Sequence, residues 1–221
     1  MPEKTLIVLV GPTAIGKTKV SITLAKKLFC SIVNADSRQI FKEMSIGTAK
    51  PTREEMQDVK HYFVDDRSIA EDFSAGQFER EGLKVIRREF ESKDVCLLSG
   101  GSGLYIDALC LGLNEFPAVN KGIRKALNHE LEHKGVDSLY QHLVRVDSDY
   151  ASEIEANNSQ RIIRALEVYR SSGQKYSDLR LGMNSQRDFN MIYIGLEMPR
   201  DQLYARINSR MDDMIANGLF E

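Results

Sequence analysis

Short apolar runs, each closed by a glycine or a polar turn, punctuate the first half of the chain. Leu6-Ile7-Val8-Leu9-Val10 runs into Gly11, Ser31-Ile32-Val33-Asn34-Ala35 into Asp36, and Val95-Cys96-Leu97-Leu98 into Gly100-Gly101. Continuous apolar segments of this length predict buried strands over 5–10, 31–35 and 95–98, with a shorter one over 61–64. Between them the polar and apolar positions predict helices over 17–29 and from Ser74 to Glu91, the second opened by the capping-box spacing of Ser74 and Gln77. Strand–helix alternation predicts an α/β core over residues 1–113, with a parallel sheet flanked by helices.

Strand signals vanish between 114 and 190. Helical periodicity with frequent charges takes over, at 121–134, 137–145 and 159–172, and predicts an all-helical insertion. Met191-Ile192-Tyr193-Ile194-Gly195-Leu196 then reads as a strand of the core type, and Pro199 as the opening of another helix, so 191–221 is expected to return to the core. That helix carries an apolar stripe of Leu203, Ile207, Met211, Met214 and Ile215, followed at once by Gly218-Leu219-Phe220-Glu221. An apolar pair so close to the last residue, with nothing after it, reads as the end of a truncated chain or as a flexible tail.

The chemistry begins at Gly11-Pro12-Thr13-Ala14-Ile15-Gly16-Lys17-Thr18, a phosphate-binding loop set between a strand and a helix. Backbone N–H groups and the helix N-terminus cradle phosphates there, Lys17 supplies a positive charge, and the Thr18 hydroxyl can reach Mg²⁺. The second strand delivers Asp36 to the same edge of the sheet, where open α/β sheets place ligands. Alone, Asp36 with Ser37 would also pass for an ordinary cap. The strand at 95–98 ends in Ser99-Gly100-Gly101-Ser102-Gly103, without the metal-binding aspartate of many P-loop hydrolases. Those glycines predict close approach of something large. Arg206 and Arg210 lie one turn apart opposite the apolar stripe, and Arg210 is a candidate to close over phosphates.

A net charge of −2 confines any nucleic-acid contact to a local patch. One such patch is visible, because residues 160–187 hold six basic side chains against two acidic ones. Gln160, Arg161 and Arg164 share one face of the helix that opens it. His129-Glu130-Leu131-Glu132-His133 matches a zinc-peptidase pattern but sits in a charged, solvent-facing helix with no third ligand evident, so a zinc site is not expected. Cys30, Cys96 and Cys110 lack metal or redox spacing. No leader or membrane-length segment is visible, and the expectation is a cytoplasmic, monomeric enzyme that does not engage membranes. The residues leave more than one group transfer open, including an ATP-dependent small-molecule kinase in which Asp36 activates a hydroxyl.

Together these stretches resemble the tRNA dimethylallyltransferases. The resemblance is carried by Gly11–Thr18, Asn34-Ala35-Asp36-Ser37-Arg38-Gln39, Gly47-Thr48-Ala49-Lys50-Pro51, Gly100-Gly101-Ser102-Gly103-Leu104-Tyr105 and Gln160-Arg161-Ile162-Ile163-Arg164-Ala165-Leu166-Glu167. It runs from about Thr5 to the last residue, with Ile15 where the family usually has Ser, Ser102 where it usually has Thr, and no C-terminal part. The resemblance implies transfer of dimethylallyl from its diphosphate to the exocyclic N6 of the adenine 3′-adjacent to the anticodon, in tRNAs reading codons that begin with U. It further implies Asp36 as base, Thr13 beside the bridging oxygen, Lys17 and Arg210 on the pyrophosphate, and Gly11 to Thr18 around the diphosphate with Mg²⁺ at Thr18. The anticodon arm would be held by Asp36, Ser37, Arg38, Gln39, Ser102, Arg124, Gln160, Arg161, Ile162, Ile163 and Arg164.

Overall fold

The computed structural model describes residues 3–114, 116–117, 120–180 and 186–220. They form two compact units, Met1–Leu113 with Ser185–Glu221, and Asn114–Asn184.

The first unit contains β1 (Thr5–Val10), α1 (Lys17–Leu28), β2 (Ile32–Asn34), α2 (Arg53–Met56), β3 (His61–Tyr62), α3 (Ala75–Phe90), β4 (Val95–Ser99), α4 (Gly103–Leu111), β5 (Asn190–Gly195) and α9 (Arg200–Ala216). The strands pair in the order β3-β2-β4-β1-β5, all parallel. The apolar runs bury as expected: Leu6, Val8, Leu9, Val33, Leu97 and Leu98 are fully inside. Phe78 and Ile86 of α3 and Leu109 of α4 pack against one face of the sheet, and Ile22 and Ala25 of α1 against the other. Ser74 and Gln77 make the capping box that opens α3.

Two expectations are corrected here. β5 is an edge strand, not a core one: it pairs only with β1, and Ile192 and Tyr193 are half exposed. The return to this unit begins before 191, because Arg187 donates to Glu79 Oε1 at 2.8 Å and to the Leu109 carbonyl at 2.9 Å, while Phe189 is buried against Phe90.

The second unit is helical: α5 (Lys121–Val146), α6 (Ser148–Glu153), α7 (Ser159–Ser172) and α8 (Tyr176–Leu179). α5 breaks at Gly135, whose φ of 76° only glycine adopts without strain, so it is two helices meeting where the sequence pattern changes. Leu127, Leu139, Leu143, Ile162 and Leu166 fill this unit's own core. Among the described residues no helix is long and apolar enough to cross a membrane.

Candidate active site

The phosphate-binding loop joins β1 to α1 and closes on Gly16, at φ 102°, which caps the helix without a side chain. The first N–H groups of α1 are therefore left for an anion. Ala14 is also left-handed, at φ 63°. Ile15 is buried and meets Gly11, so this departure from the family pattern points its side chain inward and serves the loop through its backbone. Lys17 Nζ donates to the carbonyls of Gly11 at 2.7 Å and Pro12 at 2.9 Å, folded back over the loop.

Asp36 follows β2 after one residue, Ala35. Its Oδ1 accepts from the N–H groups of Arg38 at 2.9 Å and Gln39 at 3.2 Å, as a turn cap would. Oδ2 remains beside Gly101, where a Cβ would come within 3.0 Å of it. The turn that carries Asp36 exists because Gly100 lies against the end of β2: a Cβ there would stand 2.1 Å from the Ala35 carbonyl. Of the stretch Gly100 to Gly103, Gly100 and Gly101 approach the chain itself while also lining the cavity beside them, and a Cβ on Gly103 would meet nothing within 4 Å. Ser102 completes the junction, its Oγ accepting from Ser37 N at 2.9 Å and bonding to Ser37 Oγ at 3.0 Å.

A cavity of ≈ 360 Å³ opens between these parts, lined by Thr13, Lys17, Thr18, Asp36, Arg206 and Arg210, with Asn34, Ala49, Pro51, His61 and Asp213 around them. The cationic groups come from both ends of the unit's sequence. α9 carries Arg206, which reaches the Ile15 carbonyl at 3.5 Å, and Arg210, which reaches that of Thr48 at 3.3 Å. Burial lowers the Lys17 pKa, Arg210 lowers it further, and Asp36 partly offsets both, so the three charges share one field. Neighbouring positive charges without a full counter-charge attract a polyanion.

Sequence reading missed several of these lining groups. Asn34 was legible as a polar residue ending an apolar run; His61, whose Nδ1 lies 2.8 Å from the Val59 carbonyl and whose pKa is lowered by burial, gave no signal. Lys50, part of a stretch that carried the resemblance, is a strut: its buried Nζ donates to the Phe41 carbonyl at 2.6 Å and pairs with Asp65.

In the helical unit, Asn158 caps α7 by accepting from Arg161 N at 3.2 Å. Arg161 is exposed and Gln160 lies beside it at the surface. Ile162 and Ile163 are buried in the unit's core, where their side chains seat the helix. Arg164 lies 3.0 Å and Arg124 3.5 Å from the Glu167 carboxylate, which is almost fully buried, and the Arg164 guanidinium also covers the Phe116 ring. The His129 and His133 rings stack with centroids 4.0 Å apart while Glu130 is held by Arg170 at 2.7 Å. Among the described residues no group of three or more His, Cys, Asp or Glu could hold a metal ion.

The family model described as IPP transferase matches residues 39–221. The chain belongs to the IPP transferase family. The match starts after the phosphate-binding loop and Asp36, but relatives align over these as well. The tRNA dimethylallyltransferase of Cytophaga hutchinsonii is 47% identical over 217 residues, covering 98% of this chain and 71% of that protein. The solved full-length tRNA isopentenylpyrophosphate transferase from Bacillus halodurans is 37% identical with a TM-score of 0.64, over 98% of this chain and 67% of that one. A eukaryotic dimethylallyltransferase solved acting on tRNA is 27% identical with a TM-score of 0.75, over 97% of this chain and 54% of that one. The fold of this chain is accordingly the P-loop fold of its solved relatives.

Proposed function

We propose that this IPP transferase family member moves a dimethylallyl group from dimethylallyl diphosphate to the exocyclic N6 of the adenine 3′ to the anticodon of tRNA. The observation that carries the reading is one cavity holding Lys17, Arg210 and Asp36 in a shared field beside a phosphate-binding loop. In the transfer, the amine lone pair forms the C–N bond to the allylic carbon as the C–O bond breaks and pyrophosphate leaves. The amine proton passes to the Asp36 carboxylate. An adenine amine is a weak nucleophile, so positioning and a base matter; general-base help of this kind is worth ~10²–10⁴-fold.

Charge collects on the leaving pyrophosphate. The free N–H groups of α1, Lys17, Arg206 and Arg210 are placed to receive it, and Thr13 at the cavity wall is suited to hydrogen-bond the bridging oxygen. The donor set fits Mg²⁺: the Thr18 hydroxyl lines the cavity without a carboxylate cage, and a hard cation of this kind is held by one or two protein oxygens, water and the substrate's own phosphates. When bound, the ion would neutralise the departing diphosphate. Ser37, Arg38, Gln160, Arg161, Arg164 and Arg124 are the candidates for holding the anticodon arm, in a loop where extruding a base costs little.

The test is transfer of labelled dimethylallyl to unmodified tRNA with Mg²⁺, beside Asp36→Asn and an ATP-turnover control. Label in the RNA that disappears in the variant supports both function and base. ATP turnover without transfer would overturn the reading in favour of a kinase.

A further inference from the structure

Gln39 is half-buried at the wall of the cavity, and its side-chain amide is occupied by the protein itself. Its Oε1 accepts from Asn34 Nδ2 at 3.2 Å, and its Nε2 donates to the carbonyls of Thr48 at 3.0 Å and Ala49 at 3.3 Å. Two carbonyl acceptors on one side and a donor on the other allow a single orientation of that amide. The same residue's N–H is bonded to Asp36 Oδ1, and the Thr48 carbonyl it holds is also the one Arg210 reaches. One side chain therefore joins the carboxylate turn, the Ala49 stretch of the cavity wall and the anchor of a phosphate-facing arginine.

The backbone at the far ends of these bonds is strained. Ala49, Phe63 and Asp65 are non-glycine residues at φ 44°, 62° and 52°. Left-handed residues of this kind persist where their surroundings over-determine them. Each of the three is bonded to the Asn34–Gln39 pair: the Ala49 carbonyl to Gln39 Nε2, the Phe63 carbonyl to Asn34 Nδ2 at 3.3 Å, and the Asp65 N–H to the Gln39 carbonyl at 3.2 Å.

We propose that Gln39, oriented by Asn34, is a positioning residue for the transfer and not an RNA contact. It fixes the spacing between the base and the cationic wall of the cavity. The proposal rests on the reaction proposed above. A residue that sets alignment acts on turnover, because small displacements of reacting groups cost large factors in rate. An RNA contact acts on tRNA affinity.

The experiment compares the full chain with Gln39→Glu, which keeps the shape but turns an oxygen toward two carbonyls, and with Asn34→Ala, at a position buried at the end of β2. Hydrogen exchange without substrate is read over 44–51 and 61–67, and kcat and KM are read with tRNA and with dimethylallyl diphosphate. Both variants are expected to speed exchange in those two segments while β1 stays protected. Both lower kcat by roughly 10–100-fold with the KM for tRNA within about threefold of the parent. A raised KM for tRNA with kcat and exchange unchanged would overturn the proposal. If the parent chain transfers nothing, the reaction proposed above fails by itself, and unchanged exchange in the variants would still overturn the positioning role of Gln39. Should Gln39→Glu not fold, Gln39→Asn, one methylene short, reads the same split.

Discussion

The cavity of the α/β unit and the α7 surface of the helical unit hold their cations in different ways. Elsewhere in the α/β unit, cations such as Lys50 and Arg187 are paired with carboxylates too. In the α/β unit, Lys17, Arg206 and Arg210 rest on backbone carbonyls around a cavity. In the helical unit, Arg124 and Arg164 share the carboxylate of Glu167, Arg170 is paired with Glu130 and Arg180 with Glu153. A carbonyl is a neutral anchor that gives up a cation readily to an incoming anion, whereas a carboxylate is a full counter-charge that competes with it. The first arrangement suits charges that turn onto a leaving group. The second suits charges kept in place on a surface that meets a long polyanion.

The sharpest way to break this comparison is to remove the cavity carboxylate that shares a field with Lys17 and Arg210. Asp36→Asn should lower transfer by ~10²–10⁴-fold with tRNA affinity unchanged, read by single-turnover kinetics beside a binding titration. Equal losses in both would make Asp36 a tRNA contact first and a base second. Next in size, Arg210→Ala and Arg206→Ala should each reduce kcat, on the order of 10²-fold for a donor that meets charge developing in the transition state. If either instead weakens only tRNA binding, the carbonyl-anchored cations do not belong to the leaving group.

The site was legible in the sequence where local chemistry is local in space. Gly11 to Thr18 and the Asp36 turn are contiguous segments and could be read as such, although the second also rests on Gly100 and Ser102 from a distant part of the chain. Asn34 and Gln39 were legible as residues but not in their roles, because the bonds that occupy them reach Thr48, Ala49 and Phe63 through tertiary contacts. The fold shows the same division. Strands with continuous apolar runs were visible, but α4 was not: Leu104 to Leu111 is apolar on nearly every side, so no period of 3.6 stands out. The edge position of β5 was illegible too, since Met191 to Leu196 is as apolar as a central strand.

The α/β unit also contains one buried carboxylate held as tightly as any in the helical unit, and pH reads it out. Burial would raise the pKa of Glu89, but hydrogen bonds from Lys93 at 2.7 Å, Ser31 at 2.6 Å and Tyr62 outweigh that and hold it at about 2. A folded pKa below the unfolded one gives stability that is present above about 4.5 and lost as pH falls toward 2. Lowering it from 4.5 to about 2 is worth at most ~3.4 kcal/mol, at ~1.4 kcal/mol for each tenfold. The unfolding free energy from denaturant titrations should therefore fall between pH 5 and pH 2 by up to about that amount, and Glu89→Gln should flatten the fall. An unchanged profile in the variant would place the acid sensitivity elsewhere.

The smallest effect bears most directly on the helical unit. If Arg164 meets tRNA phosphate, Arg164→Ala should weaken tRNA binding several-fold and flatten the slope of log affinity against log salt by ~0.7–0.9, the share of one phosphate contact. Glu167→Gln tests the counter-charge itself. Losing it frees the two arginines from competition but also from their fixed placement, so affinity should change by less than about tenfold while the salt slope steepens, as positive charge is unmasked. Turnover at saturating tRNA should not respond, because no group of the α/β cavity is touched. A loss of turnover in Glu167→Gln at unchanged affinity would mean that the paired cations act in the chemical step, and the contrast between carbonyl-anchored and carboxylate-anchored charges would lose its functional meaning.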